Sequence, residues 1–296
     1  MLNKTLSDPT PYLPSKAGGL VERIPGDKRS YRWATRQLHY RAVERVIQAM
    51  HERLDQPFPM QAMARIAFIS PYHFNRLFRQ ITGIPPSQFL YALRLEAAKR
   101  LLLTTRLSVL EVCYEVGYNS LGTFTRRFSD LLGVSPTRLR SMACCPVDKL
   151  FKEVKKLPNY TQSGAPGTIA GEIDAPSDFC GQIFVGLFPS QIPQGKPVAC
   201  TLLNRAGQYQ ISNVPDGTYY LFAAGISIPE DPSGYLRYES ALRAGGQAID
   251  SMNREIKGET NLRLRAPSIF DPPILMTFPA LIAATGVEKV VEQHRN

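Results

Sequence analysis

Apolar residues fall at Phe74, Leu77, Phe78 and Ile81, the i, i+3, i+4, i+7 stripe of one helix face. About fifty residues later Phe124, Phe128 and Leu131 repeat that stripe. The two stretches align as Phe68 with Tyr118, Ser70 with Ser120, Phe74 with Phe124, Arg76 with Arg126, Phe78 with Phe128, Gly83 with Gly133 and Pro86 with Pro136, and the spacing needs no insertion. Such a repeat predicts one structural unit used twice. Ser70 before Pro71 predicts an N-cap with proline in the first turn, and Asn119 or Ser120 can cap the second helix. Gly83 and Gly133 sit where each helix should end in a left-handed residue. Short helical segments at Met60 to Ala67 and Ser108 to Glu115 precede the pair, through tight turns at Phe68-Ile69 and Gly117-Tyr118, which predicts two helix-turn-helix units. Between them, Pro86 to Leu103 holds Phe89, Leu90, Leu93, Leu95, Ala97, Ala98, Leu101 and Leu102, enough apolar surface for one long helix to pack against both.

The face opposite the first stripe presents Tyr72, Asn75, Arg76 and Arg79, long donors and one aromatic suited to base edges and phosphates in a major groove. The second outer face offers Gly122, Thr125, Arg126 and Ser129. An arbitrary arginine is most often a solvated surface residue; the duplication of the pattern is what singles out Arg76, Arg79 and Arg126. Phe74, Phe78, Phe124 and Phe128 are expected in the core. Charge agrees. Residues 1 to 160 contain 25 Lys and Arg against 12 Asp and Glu, a net of +13, whereas residues 161 to 296 contain 10 against 13, a net of −3. The basic excess lies in the half with the repeat, as expected for a surface that displaces counterions from phosphates.

In Arg94-Leu95-Glu96-Ala97-Ala98-Lys99-Arg100-Leu101-Leu102, in Glu115-Val116-Gly117-Tyr118-Asn119-Ser120, in Phe124-Thr125-Arg126-Arg127-Phe128 and in Leu132-Gly133-Val134-Ser135-Pro136 with Arg140, the chain resembles the AraC/XylS family of bacterial transcription regulators. The likeness covers about a third of the chain, from near Gln37 to Met142, and several spaced motifs agree at once. It implies a sequence-specific DNA-binding transcription regulator whose two recognition helices enter successive major grooves of double-stranded DNA, with RNA polymerase as a candidate partner. It also implies base-facing positions Tyr72, Asn75 and Arg76 in the first helix and Leu121, Gly122, Thr123 and Arg126 in the second. Family members often carry polar side chains where this chain has Leu121 and Gly122. Hydrogen-bond readout by the second helix is therefore expected to rest on Arg126 and Thr123, with apolar contact to a thymine methyl.

The predicted fold class is multidomain α plus β, an all-α double helix-turn-helix domain followed by a mainly β sandwich. Residues 1–36, rich in Pro and Gly, read as a mobile arm; 37–142 as the DNA-binding domain; 143–166 as a short basic helix and a Pro/Gly linker; and 167–296 as a sensing or interaction domain. The linker suggests that the two parts are separable. From Gly167 the apolar period drops to 2, and Thr168 to Asp174, Gln182 to Phe188, Val198 to Leu203, Gln208 to Ser212 and Thr218 to Ile226 read as strands between Gly, Pro, Asn and Asp. The arrangement Gly167-Thr168-Ile169-Ala170-Gly171-Glu172-Ile173 followed by Tyr209 to Leu221 resembles the carboxypeptidase regulatory, or transthyretin-like, module. That resemblance implies a binding or structural role, for a small-molecule or protein partner, and no peptidase activity. The remaining 70 or so residues, with Leu262-Arg263-Leu264 and Ile274-Leu275-Met276, are expected to add strands and a terminal helix without assigned places, and alternation predicts one of Tyr219 and Tyr220 in the core.

Other chemistry finds little support. His39, His51, His73 and His294 lack ligand spacing, so no metal and no cofactor are assigned. Arg243-Ala244-Gly245-Gly246 reads as a turn, and no phosphate loop or nucleophile elbow occurs, so the chain is not expected to be an enzyme. Five cysteines, an odd number, fit a reduced cytosol; Cys144-Cys145 reads as two ordinary thiols of the linker, with a redox or thiophilic sensor as the alternative should Lys149 and Lys152 lower a thiol pKa. Neither a signal peptide nor a stretch of roughly 18 apolar residues occurs, which predicts a cytoplasmic protein with no membrane partner. The rival readings are an adaptor whose sandwich is the working part, with nonspecific DNA binding, and an enzyme with a peptidase-like appendage.

Overall fold

The computed structural model describes residues 28–143, 167–227 and 240–275. The linker segment with Cys144 and Cys145, and most of the N-terminal arm, lie outside the described residues. Among the described residues seven helices come first: α1 (Lys28–Glu52), α2 (Met60–Ala67), α3 (Pro71–Thr82), α4 (Pro86–Thr104), α5 (Val109–Glu115), α6 (Leu121–Leu132) and α7 (Pro136–Ala143). The helix α1 begins inside the span read as an arm, and its residues Val43, Val46, Ile47 and Met50 are fully buried. Their i, i+3, i+4, i+7 spacing was a sequence signal for this helix.

The repeat is built as two small cores. Around the first, Val43, Ile47, Met63, Phe74, Phe78 and Phe89 pack together; around the second, Leu95, Val112, Phe124, Phe128, Leu132 and Leu139 do. Between the two runs α4, which gives Phe89, Leu90 and Leu93 to one core and Leu95, Ala98 and Leu102 to the other. A helix that serves two cores must be apolar around most of its circumference, which is why its sequence shows no single stripe. In the second unit Leu132 is fully buried and Leu131 only half-buried, so the core position expected at Leu131 belongs to its neighbour.

The expectation of an uninterrupted repeat needs correction. The recognition helices α3 and α6 do correspond at a spacing of fifty, with N-caps Ser70 and Ser120 accepting from the His73 and Thr123 amides at 3.4 Å. Their C-caps Gly83 and Gly133 have φ of 82° and 79°. The preceding helices correspond one residue earlier. The Phe68 amide donates to the Arg65 carbonyl and the Ile69 amide to Ala64, as the Gly117 amide donates to Tyr114 and the Tyr118 amide to Cys113. Buried Met63, Ala64 and Ala67 match Val112, Cys113 and Val116. One residue is therefore inserted in the second unit between its turn and Ser120, and Phe68 is the counterpart of Gly117 instead of Tyr118. Both take left-handed φ, 60° and 76°.

A strand-rich region follows. The strands are β1 (Gly167–Asp174), β2 (Gly181–Phe188), β3 (Ala199–Leu203), β4 (Gly207–Val214), β5 (Gly217–Ser227), β6 (Leu242–Met252), β7 (Glu255–Lys257) and β8 (Leu262–Arg263). The first five coincide with the expected runs. They form a three-stranded sheet of order β4-β1-β8 and a five-stranded antiparallel sheet of order β3-β2-β5-β6-β7. Within the smaller sheet β1 pairs antiparallel with β4 and parallel with β8. Ile169, Ile173 and Ile211 of that sheet share a core with Ile183, Val185, Leu187, Leu221 and Ile249 of the other. In β2 the intervening Phe184 and Phe188 are also buried, on the far face of the larger sheet. A strand covered on both faces reads as an unbroken apolar run, and Ile183 to Phe188 is one.

Two details differ from expectation. Arg243 to Gly246 forms part of β6, not a turn: Leu221 pairs with Gln247 and Phe222 with Gly245, which leaves Gly246 as the extra residue of a β-bulge. Gly245 and Gly246 have φ of 104° and 99°, and a Cβ on Gly245 would collide with the Leu221 carbonyl, so the glycine pair serves a kinked strand. Tyr219 and Tyr220 are both half-buried; only Tyr219 leans on the inter-sheet core, its hydroxyl donating to the Asp216 carbonyl.

The C-terminal region completes the helical cores. Ile192, from the loop after β2, is fully buried in the first core, and Leu275 is 1% exposed in the second. The Gly195 amide donates to the Leu131 carbonyl at 2.6 Å, near the end of α6. The Lys99 ammonium, itself buried on α4, donates to the Ile274 carbonyl at 3.5 Å. The Pro/Gly linker suggested two separable parts, but these contacts are ones that periodicity within each part cannot reveal.

Candidate nucleic-acid interface

The α3 sequence divides cleanly. Phe74, Leu77 and Phe78 are buried, whereas Tyr72, Asn75, Arg76 and Arg79 are exposed, Tyr72 to 84%. An exposed tyrosine beside three polar donors leaves a large amphipathic face without protein cover. The helix is held in place by aromatic edge contacts between Phe74 and Phe78 and between Phe78 and Phe89, at 5.5 and 5.4 Å. His73 is half-buried and meets the His39 ring edge-on at 5.8 Å.

The second helix presents less. Leu121, Gly122, Thr123 and Arg126 are exposed, Leu121 to 39%. Thr125 is half-buried, and its carbonyl accepts from the Ser129 hydroxyl at 2.7 Å. Arg127 stands where the first unit has buried Leu77; its guanidinium lies over the Tyr91 ring at 4.6 Å, on the side of α4. Of the two arginines in α6, therefore, Arg126 alone keeps an outward head unclaimed by this stacking.

A polar link between the two halves comes from Arg94, a residue that the sequence placed in a motif without a role. From the middle of α4 its Nη2 donates to the Gln56 carbonyl at 2.7 Å and its Nη1 to the Gly117 carbonyl at 3.1 Å. One group is in the loop before the first unit and the other in the turn of the second. Burial pulls the Arg94 pKa down, opposed first by Tyr118 and then by Tyr91 and Asp55. A guanidinium starts so high that it remains charged throughout. Gly117 has no room for a side chain: a Cβ would collide with the Leu54 carbonyl and lie 3.0 Å from the Arg94 guanidinium carbon. Its counterpart Phe68 takes the same backbone conformation at the surface, 84% exposed, with the Arg45 guanidinium 5.6 Å from its ring centre. Arg140, the last residue of the motif set, donates from Nε to the Leu102 carbonyl at 3.4 Å and so ties α7 to the end of α4.

Among the described residues no group of three or more His, Cys, Asp or Glu stands close enough to hold a metal ion. No helix among them is long and apolar enough to cross a membrane. Cys113, Cys180 and Cys200 are free thiols. Burial raises the pKa of Cys113 and pushes that of Cys200 up to about 12, the opposite of activation.

Known proteins share this part of the chain. Residues 63–142 match the family described as "Helix-turn-helix domain", from within α2 through α7. The HTH-type transcriptional regulator GlxA of Rhizobium meliloti (strain 1021) is 36% identical over 95 residues, 32% of this chain and 29% of that protein. The transposon Tn10 TetD protein of Escherichia coli is 30% identical over 105 residues, 36% of this chain and 76% of that protein. Among solved structures, the DNA-binding domain of AdpA, a global transcriptional factor in complex with a target DNA, is 34% identical; the match covers 33% of this chain and 89% of that chain, with a TM-score of 0.33. The chain thus spans under a third of the GlxA regulator, and the matched family domain lies in the helical region. Because it spans three quarters of TetD at 30% identity, and because the matched domain coincides with the two units described above, the chain belongs to the AraC-type helix-turn-helix family.

Proposed function

We propose that this protein is a sequence-specific transcription regulator that places α3 and α6 in successive major grooves of double-stranded DNA. Tyr72, Asn75, Arg76 and Arg79 would read or grip the first half of the site, and Leu121, Gly122, Thr123 and Arg126 the second, with Thr125 at the margin. The observation that carries this reading is the pairing of two equivalent helices, each buried on its phenylalanine face and bare on the other, across one shared helix α4. The concentration of basic residues in the same half supports it. RNA polymerase is the natural partner of such a regulator, and the cytoplasm its compartment. The strand-rich region, whose two sheets share a core, is read as a transthyretin-like sandwich that binds a small molecule or a partner and performs no catalysis.

The test begins by selecting a consensus from random duplex DNA with the full chain. On that consensus Arg76→Ala should lose about 1 to 3 kcal/mol of binding, as for a bidentate base contact, with little change on scrambled DNA. Equal losses on both would reduce Arg76 to a phosphate contact, and failure to select any consensus would leave only nonspecific binding.

A further inference from the structure

On the far face of the five-stranded sheet the segment 271–275 packs over a partly enclosed cavity of about 60 Å³. Phe184, Phe188, Phe222, Ala224 and Ile274 line it, together with the charged Arg243, Arg265 and Asp271. We propose that this cavity binds the carboxylate of a short-chain aliphatic acid, with Arg243 as its anion-binding residue.

The charges around Arg243 support the choice of ligand. Asp271, the nearest carboxylate, is already occupied: Arg265 donates to its two oxygens at 2.7 and 2.8 Å, and the Ser268 amide donates at 2.7 Å. Arg243 keeps one neutral partner, the Pro272 carbonyl, which accepts from Nη1 at 2.7 Å. Its Nε is buried without a protein partner. Asp271 and, from α4, Glu96 act on it through space, and Arg265 opposes them. A buried guanidinium nitrogen with no acceptor, set in a wall that is aromatic and aliphatic apart from the mutually paired Arg265 and Asp271, calls for an anionic or carbonyl oxygen attached to an apolar body. Size narrows the class. A cavity of about 150 Å³ takes up benzene, so this smaller, partly enclosed one suits a chain of a few carbons. The strap above it leads directly to the helices through the Ile274 and Leu275 contacts already described. The proposal deepens the reading of the C-terminal region as a ligand-binding part and requires no DNA contact.

Isothermal titration of the full chain with sodium butyrate tests it, because the heat is read without DNA and a failure leaves the DNA-binding reading intact. Saturable binding is expected for butyrate, absent for 1-butanol and butylamine, and weakened at least tenfold by Arg243→Gln. Ala224→Leu, which fills the cavity and keeps the arginine, should abolish it and decides the matter if Arg243→Gln fails to fold. The proposal is overturned if no acid from acetate to hexanoate gives saturable heat, which would make the site a water pocket. It is equally overturned if butyrate binds undiminished to either folded variant.

Discussion

Arg94 donates to the Gly117 carbonyl at 3.1 Å, and with its other amino group holds Gln56, so that one side chain of α4 ties the turn of the second helix-turn-helix unit to the loop that leads into the first. An interior polar contact thus joins the two halves in addition to the apolar cores on α4. Arg94→Met should keep the apolar stem and leave both carbonyls without this donor, at a cost of about 2 to 4 kcal/mol in urea unfolding. A loss under about 0.5 kcal/mol would show that water replaces the guanidinium without penalty. Gly117→Ala, forced against the Leu54 carbonyl, should be at least as damaging.

The outer face of α6 is chemically thinner than that of α3, since Arg127 is drawn to Tyr91 and Leu121 and Gly122 offer no side-chain donor. In a series of single base-pair changes across the selected site, those beneath α3 should each weaken binding by about 1 to 3 kcal/mol and those beneath α6 by less. The reverse order would assign the principal reading to α6.

Ile192 and Leu275 lie in the two helical cores though both belong to the C-terminal region. Ile192→Ala and Leu275→Ala should each cost about 2 to 5 kcal/mol. A fragment ending at residue 143 should unfold at lower denaturant than the full chain by a comparable or larger amount. A fragment as stable as the whole, with unchanged operator affinity, would mean that the helices close these cores without help.

Tyr209 is 4% exposed, and its hydroxyl donates to the Thr260 carbonyl, which favours the neutral phenol. Burial foremost, and then Glu259, pushes its pKa from the ordinary 10 up to about 12. Below pH 10 the phenol is neutral in both folded and unfolded chains and has no effect on the pH dependence. Between pH 10 and about 12 the unfolded chain ionises while the folded one retains its proton, so stability falls as pH rises. Tyr209→Phe should remove about 2 kcal/mol of that alkaline loss. Parallel alkaline unfolding curves for the two proteins would exclude a role for this residue.

Much of this protein was legible in the order of its residues. Period 3.6 marked α2 through α6, period 2 marked β1 through β5, and Ser70, Gly83, Ser120 and Gly133 marked the helix ends where they occur. Those features depend on contacts a few residues apart, so the local pattern contains them. The exposed set Tyr72, Asn75 and Arg76 followed from the same arithmetic, because a helix with one buried face must turn the other outward. The one-residue offset between the units escaped because the aromatic matches Phe74 with Phe124 and Phe78 with Phe128 dominate the alignment, whereas the turn conformations of Phe68 and Gly117 reveal it. The glycines of β6 read as a turn in the sequence because a bulge and a turn require the same backbone freedom, and only the partner strand tells them apart. Arg94, Ile192, Leu275 and Arg243 took their meaning from groups far away in sequence. Long-range packing alone could decide which carbonyls a buried guanidinium would reach and which core a distant leucine would fill.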